Sequence, residues 1–268
     1  SRTLAQDCGL FSAGAPVAPA ILESFSQLLN PSVQIYTPYG ATESLPVSSI
    51  GSHELLQQTR LATDAGKGIC VGKPVAGMDV HIIAITDKPI GRWDEVTLLA
   101  APQIGEIVVS GPQVTTKYYN RPDATLQAKI FAGDGKVYHR MGDTGYLDEL
   151  GRLWFCGRKS ERVVEYDKTW FSACCEGVFN AHPQVYRTAL VSRRHKIEVI
   201  PALCVELDPA HRKANNTAIK RELLELGKKH EHTRAIRNIY FHPGFPVDIR
   251  HNAKINQAEL TRWARKQK

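Results

Sequence analysis

The first amphipathic pattern of the chain lies in residues 19–29, PAILESFSQLL. Apolar side chains recur there at helical spacing, so the stretch predicts a helix, which Pro31 ends. The next apolar run, VQIY at residues 33–36, is short and predicts a strand. YTPYGATE, residues 36–43, begins at the last residue of this run. A simple turn would need only the glycine of that stretch, so a turn does not explain its other residues.

The middle of the chain has the pattern of a sheet. Short apolar runs, separated by turns that contain glycine or proline, predict strands at residues 80–85, 106–111 and 153–157. Because no helical pattern separates the later runs, we expect a mainly antiparallel β region over residues 70–157.

The pattern changes after residue 158. Amphipathic stretches predict helices at residues 174–182, 215–230 and 255–267. Apolar runs predict strands at residues 186–192, 198–207 and 235–241. Asn216 or Thr217 is a suitable cap for the helix at 215–230. The predicted fold class is therefore α/β, of the mixed α+β kind, with one domain at 1–158 and a small α+β domain at 159–268.

Composition is that of a globular protein, with 268 residues, 43% of them hydrophobic, and a net charge of +7. Basic residues are dense over 211–237, but aromatics are not interleaved with them as in surfaces that bind single-stranded nucleic acid. This favours a solvated helical face over a nucleic-acid partner. A modest positive charge also suits phosphate and carboxylate ligands.

The six cysteines are widely spaced except for the adjacent Cys174 and Cys175, and they form no metal-binding motif. They are typical of buried, reduced thiols. The sequence has no signal-peptide pattern and no apolar stretch of the ~18 residues that a membrane span needs. We therefore expect a cytoplasmic protein without an integral membrane segment.

YGATE, residues 39–43, combines groups that could grip a nucleotide. Tyr39 can stack on a purine, and Gly40 would let the backbone approach a ligand closely. Thr42 offers a hydroxyl to a phosphate, and Glu43 offers a hard oxygen ligand for Mg²⁺.

Three charged residues further along the chain suit the same ligand. Asp143, between Gly142 and Gly145, can accept hydrogen bonds from both hydroxyls of a ribose. Arg158 carries several donors for ribose or phosphate oxygens. Lys254, in HNAKI, can bring a point charge to a developing negative centre. Each of these residues taken singly is more typical of a turn or a solvated surface.

Long motifs with fixed spacing place these residues in a known family. YGATE matches the pattern Y-G-x-T-E, GEIVVSGPQVTTKYYNRPDAT at 105–125 matches a second block, and YHRMGDTGYLDELGRLWFCGR at 138–158 matches a third. The chain resembles, almost from end to end, the acyl-adenylate-forming superfamily of acyl-CoA synthetases, adenylation domains and luciferases. The resemblance implies that 1–158 is the C-terminal part of the large AMP-binding domain and that 159–268 is a small mobile domain.

The resemblance also implies an adenosine site. The adenine would lie along Gly14, Ala15 and Pro16, of the stretch SAGAPV, and Tyr39 would stack on it. Gly40 would belong to the same nucleotide grip.

The sugar and the reacting groups have implied partners as well. Asp143 and Arg158 would hold the ribose, Thr42 the α-phosphate and Glu43 the Mg²⁺ ion. Lys254 would bridge the acyl carboxylate and the α-phosphate. The implied cofactors are ATP and Mg²⁺.

The Ser/Thr/Gly-rich loop that holds the β- and γ-phosphates in this family has no counterpart in these 268 residues. We therefore expect the chain to be the C-terminal part of a longer enzyme. The loop that lines the thiol tunnel in acyl-CoA synthetases is also altered. Asp167 stands at its glycine position, Thr169 at a basic position and Cys174 at an acidic one. Neutral drift would explain this, and so would a reaction without thioesterification.

One branch of the family fits the second explanation. YTPYGATESLPVSSIGSHELL and HPGFPVDIRHNAKI resemble the β-lactone synthetases of bacterial olefin biosynthesis, which take a 3-hydroxy fatty acid. The resemblance implies a thiolase and a decarboxylase as pathway partners. His53 is a candidate base for the 3-hydroxyl group, although a surface loop histidine is more common. A long-chain acyl-CoA or acyl-AMP ligase and a non-catalytic binding protein are the alternatives.

Overall fold

The computed structural model describes residues 9–14, 17, 19–195, 198–212, 214–248 and 254–267. Internal contacts divide the chain into two compact units. The first comprises Ser1–Arg60 with Cys70–Phe155, and the second comprises Leu61–Ile69 with Cys156–Lys268. The mobility predicted for residues 159–268 stays a prediction. No helix within the described ranges has the length and apolar character needed to cross a bilayer.

Nine strands of the described chain form one sheet, with its body in the first unit. The strands are β1 (Leu10–Phe11), β2 (Ile35–Ala41), β3 (Ser44–Gly51), β4 (Ile69–Pro74), β5 (Asp79–Ile83), β6 (Gly105–Ser110), β7 (Lys129–Phe131), β8 (Val137–Leu147) and β9 (Leu153–Arg158). Their order is β1-β2-β3-β4-β9-β8-β6-β5, and β7 pairs with β8. The β5–β6, β6–β8 and β7–β8 pairs are antiparallel, which confirms the predicted β region.

Short helices flank these strands. They are α1 (Pro19–Ser26), α2 (Ser52–Glu54), α3 (Arg60–Asp64) and α4 (Pro122–Ala128). A π-helical turn, Leu55–Thr59, joins α2 to α3. The predicted helix at 19–29 is thus confirmed over its first two turns.

The strand predicted at 33–36 is wrong in its bounds. The observed strand, β2, begins at Ile35, continues past Gly40 and forms an antiparallel hairpin with β3. Pro38 and Gly40 weaken the sequence signal for a strand, yet Pro38 pairs with Ser49 of β3, and pairing resumes at Ala41 after an irregularity at Gly40.

Burial of β6 on both faces explains why the sheet is stable. All six residues of β6 are buried, since the strand lies between β5 and β8. Ile107 and Val109 join one apolar cluster with Val80 and Leu153. Glu106, in the same strand, is buried too and is paired with a charged partner, as buried carboxylates generally are.

The second unit is built on a separate three-stranded sheet. Its elements are β10 (Val163–Glu165), β11 (Lys168–Trp170), α5 (Ser172–Asn180), β12 (Val185–His195), β13 (Glu198–Leu207), α6 (Asn216–Lys228), β14 (Asn238–Phe241) and α7 (Gln257–Ala264). β12 and β13 are antiparallel, and β14 joins β13 in parallel. Strand β10 pairs with β11 in a small hairpin. The α+β character predicted for this part of the chain is confirmed.

Apolar residues cover both faces of this sheet. Leu190 and Leu203 pack with Leu223 of α6, whereas Val191 and Cys204 pack with Leu260 of α7. The alternation follows from the two-residue period of a strand, which turns neighbouring side chains to opposite faces.

The N-cap of α6 differs from the prediction. Asn215, not Asn216 or Thr217, is the cap, and its side chain accepts hydrogen bonds from the backbone N–H groups of Thr217 and Ala218. Two adjacent asparagines are equally good caps by residue type, so the sequence alone could not fix the first turn.

The cysteine prediction is confirmed where the structure tests it. Within the described part of the chain, five cysteines are buried and form no disulfide bond: Cys70, Cys156, Cys174, Cys175 and Cys204. Burial raises the pKa of the Cys204 thiol to about 12. Cys8 lies outside the described residues.

Candidate active site

The adenine stretch begins at the end of a parallel pair of strands. β1 pairs in parallel with β2, and Ser12 N–H donates to the Tyr36 carbonyl at 2.9 Å. The loop after β1 therefore leaves beside the strand that carries Tyr39. Gly14 is exposed with φ +104°, a conformation that favours glycine. Ala15 and Pro16 lie outside the described residues, so their predicted contacts stay predictions.

The β2–β3 hairpin presents Thr42 and Glu43 at its tip. Ala41 pairs with Ser44, so these two residues form the turn. Gly40 has a structural reason of its own to be glycine, because a Cβ atom there would lie 2.5 Å from the Ser44 carbonyl oxygen. Thr42 is exposed and Glu43 is half-buried, so both are open to a ligand.

The structure brings Tyr39 and Asp143 together from positions 104 residues apart. Tyr39 Oη donates to Asp143 Oδ2 at 2.7 Å, and only 3% of Asp143 is exposed. The Tyr39 ring also lies near Phe155, with 6.0 Å between centroids. The fold thus places side by side two residues that the resemblance assigned to the adenine and the ribose.

Glu43 is held by a segment that the sequence did not single out. Tyr118 Oη donates to Glu43 Oε1 at 2.7 Å, and Thr115 N–H donates to the Glu43 carbonyl at 2.9 Å. Lys129 Nζ donates to Thr115 Oγ1 at 3.1 Å and lies 5.8 Å from the centroid of the Tyr118 ring. His139, the cross-strand partner of Lys129, is buried nearby.

These contacts set the charge of Glu43. Burial by itself would raise the pKa of Glu43, but the Tyr118 hydrogen bond, the backbone and neighbouring positive charge lower it overall. Burial also lowers the pKa of Lys129 to about 8 and that of His139 to about 4. Glu43 is therefore ionised at neutral pH, and His139 is neutral there.

An ionised, half-buried carboxylate fits Mg²⁺. The Tyr118 hydroxyl donates its hydrogen bond to Oε1 of Glu43, so Oε2 could coordinate an ion. Among the described residues there is no group of three or more His, Cys, Asp or Glu that could hold a metal by itself. This agrees with Mg²⁺ chemistry, in which one or two carboxylates act together with water and substrate phosphates.

Arg158 and Lys254 belong to the second unit. Arg158 is the half-buried last residue of β9, and Lys254 is exposed. Lys254 is anchored by its backbone, because its carbonyl accepts a hydrogen bond from Asp248 N–H at 2.8 Å. Their predicted roles toward the ribose and the α-phosphate stay predictions.

Tyr118 and Lys129 are the residues near the site that sequence reasoning missed. Tyr118 lies inside the motif block at 105–125, where nothing distinguishes it from Tyr119. Lys129 carried no sequence signal either, because what sets it apart is its burial, which depends on the packed fold.

Known proteins with similar sequences match most of this chain. Residues 4–119 match the family described as AMP-binding enzyme. An olefin beta-lactone synthetase from Xanthomonas campestris pv. campestris is 48% identical over 261 residues, covering 96% of this chain and 47% of the relative. An olefin beta-lactone synthetase from Stenotrophomonas maltophilia is 45% identical over 257 residues, covering 94% and 46% respectively. The chain thus spans about half the length of these curated relatives.

The fold also has solved counterparts. The amide bond synthetase McbA from Marinactinospora thermotolerans superposes with a TM-score of 0.74 at 22% identity, covering 94% of this chain and 46% of that one. At this identity the likeness concerns the fold alone. Taken with the sequence matches and the hairpin that presents Thr42 and Glu43, it leads to one conclusion: the region of residues 4–119 belongs to the family of AMP-binding enzymes.

Proposed function

We propose that the protein activates a long-chain 3-hydroxy fatty acid with ATP and closes the activated acid to a β-lactone in olefin biosynthesis. The observation that carries this proposal is the 48% identity, over 96% of the chain, to a protein named olefin beta-lactone synthetase. A condensing thiolase and a decarboxylase are the partners that such a pathway would require.

The first step forms an acyl-adenylate. A carboxylate oxygen of the acid attacks the α-phosphorus of ATP, a new P–O bond forms, and pyrophosphate leaves. The bound Mg²⁺ ion would offset the negative charge of the phosphates. Glu43 would hold that ion, Thr42 would donate to the α-phosphate, and Lys254 would stabilise the charge that develops between the reacting groups.

The second step would be intramolecular. The oxygen of the 3-hydroxyl attacks the acyl carbon, the bond to AMP breaks, and the hydroxyl proton passes to a base. Tethering the nucleophile gives effective molarities that reach ~10⁵ M in favourable cases, which helps to offset the strain of a four-membered ring. His53 lies exposed in α2 and stays a candidate for that base.

The β10–β11 hairpin supports a reaction without coenzyme A. Tyr166, which is 81% exposed, takes the left-handed conformation at φ 52° in the turn, next to the Asp167 that replaces the glycine of acyl-CoA synthetases. A turn with side chains at both positions differs from the glycine-bearing loop of acyl-CoA synthetases.

The identity of the reaction product distinguishes the proposed function from its alternatives. Full-length protein is incubated with a 3-hydroxy fatty acid, Mg-ATP and CoA, and the products are identified by mass. We expect the acid minus one water, with no CoA adduct. An acyl-CoA product would favour a long-chain acyl-CoA ligase, an accumulated acyl-adenylate would favour an acyl-AMP ligase, and no nucleotide binding at all would favour a non-catalytic protein.

A second prediction concerns the ribose. Asp143→Ala should weaken ATP binding roughly 10-fold or more, because hydrogen bonds to a charged group are each worth about 1.5–3 kcal/mol. Calorimetric titration of the full-length protein with ATP measures this. Tyr39→Phe is the comparison, since it removes the hydroxyl that donates to Asp143 but keeps the ring and the carboxylate. An unaltered ATP affinity in Asp143→Ala would contradict the ribose role.

A further inference from the structure

Lys129 is a buried lysine, and burying its charged ammonium group lowers the stability of the fold. Its relative exposure is 0%, and its ammonium group donates a hydrogen bond to one hydroxyl, Thr115 Oγ1. Among the described residues, no carboxylate lies within ion-pair distance of its Nζ atom. A buried ammonium without an ion-pair partner destabilises a fold, and the nearby Glu43 carboxylate offsets only part of the desolvation cost of Lys129.

The contacts of Lys129 explain why a buried charge that costs stability is found at this position. Lys129 contacts the segment 115–118 at both of its ends, through the Thr115 hydroxyl and the face of the Tyr118 ring. The same two residues contact Glu43, Thr115 at its main chain and Tyr118 at its carboxylate. The segment 115–118 therefore connects Lys129 to Glu43.

Tyr118 fixes the direction of the Glu43 carboxylate. A glutamate at the tip of a two-residue turn would otherwise sample several rotamers, and each ordered side chain costs entropy when a ligand binds. The 2.7 Å hydrogen bond to Oε1 removes that freedom before the ion arrives. Residues that break a local rule of stability, as Lys129 does, are expected beside functional sites.

We propose that Tyr118 and Lys129 are positioning residues for the metal-binding carboxylate. Tyr118 holds Glu43 through Oε1 so that Oε2 meets the divalent ion, and Lys129 braces the segment 115–118 that carries Tyr118. The inference rests on the role proposed above for Glu43 in binding Mg-ATP, but not on the identity of the acid or on lactone closure.

The test uses Mn²⁺ as a spectroscopic substitute for Mg²⁺. Binding of Mn²⁺ to the full-length protein with ATP is measured by electron paramagnetic resonance. Tyr118→Phe, which removes only the hydroxyl, should weaken Mn²⁺ binding roughly 10-fold, as expected for a hydrogen bond to a charged group. Tyr119→Phe is the matched control, because Tyr119 is 87% exposed, and it should bind Mn²⁺ like the natural protein. Equal affinity in the two variants would overturn the role of Tyr118.

Lys129 is tested by stability and by amide exchange. Lys129→Met should raise the midpoint of thermal unfolding, since a buried charge is replaced by an apolar chain of similar length. It should also speed hydrogen exchange of the Thr115 amide, which donates to Glu43. A lower midpoint would overturn the premise that burying Lys129 is costly, on which the inference depends, and unchanged exchange would overturn the bracing role.

Failure of the proposed function has a different signature. Glu43→Gln should weaken Mn²⁺ binding more than Tyr118→Phe, and if it has no effect, both the metal role of Glu43 and this inference are wrong. If Mn²⁺ binding depends on Glu43 and Tyr118 as expected but no β-lactone forms, the inference stands and the proposed product is wrong.

Discussion

Replacing Lys254 with alanine is expected to slow acyl-AMP formation by at least about 10²-fold, the scale of losing one preorganised charged or donor group at a reaction centre. In the proposed reaction, negative charge would develop between the acyl carboxylate and the α-phosphate, and Lys254 is the proposed positive charge that would stabilise it. The side chain is exposed, and the hydrogen bond that joins this residue to Asp248 is made by backbone atoms. The substitution should therefore leave folding intact.

Release of pyrophosphate by the full-length protein measures the effect. Lys266→Ala is a suitable control, because Lys266 is also exposed, lies shortly after α7 and has no assigned role. We expect Lys266→Ala to match the natural rate. Unchanged pyrophosphate release in Lys254→Ala would remove Lys254 from the mechanism, whatever the product of the second step.

Glu106→Gln is expected to lower the free energy of unfolding by roughly 3–5 kcal/mol, as happens when one partner of a buried ion pair loses its charge. The Arg140 and Glu106 side chains are 2% and 1% exposed and meet at 2.7 Å. Arg140 also donates to the carbonyls of Lys88 and Thr86, which are neutral. Without the carboxylate, a fully buried guanidinium would lack a counter-charge.

Urea unfolding of matched variants checks this prediction. Glu225→Gln breaks an ion pair of equally short distance, 2.6 Å to Lys228, but those side chains are 61% and 63% exposed. A solvent-exposed pair contributes about 0–1 kcal/mol, so this control should change little. Similar losses in the two variants would show that burial is not what makes the Glu106–Arg140 pair important.

Local sequence patterns predicted some elements well and missed others. Helices and strands with clear periodicity were found close to their predicted bounds, as for the strand predicted at 198–207, which is β13 (Glu198–Leu207). The β2–β3 hairpin was missed, because Pro38 and Gly40 interrupt the strand pattern and only pairing with β3 holds the backbone extended. Local sequence cannot report such a tertiary preference.

For the candidate site, the sequence alone determined which residues are candidates for the chemistry. Tyr39, Thr42, Glu43, Asp143 and Lys254 are predicted from motifs with fixed spacing, because nucleotide chemistry favours these residue types whatever surrounds them. The same patterns determined the family and the mixed α/β class.

Only the tertiary structure decided the neighbours of those residues. The hydrogen bond from Tyr118 to Glu43 joins positions 75 residues apart, and the one from Tyr39 to Asp143 spans 104. Such contacts depend on strand order and register, which no local pattern specifies. The buried charge of Lys129 depends on them too, since burial is a property of the packed fold and not of the residue.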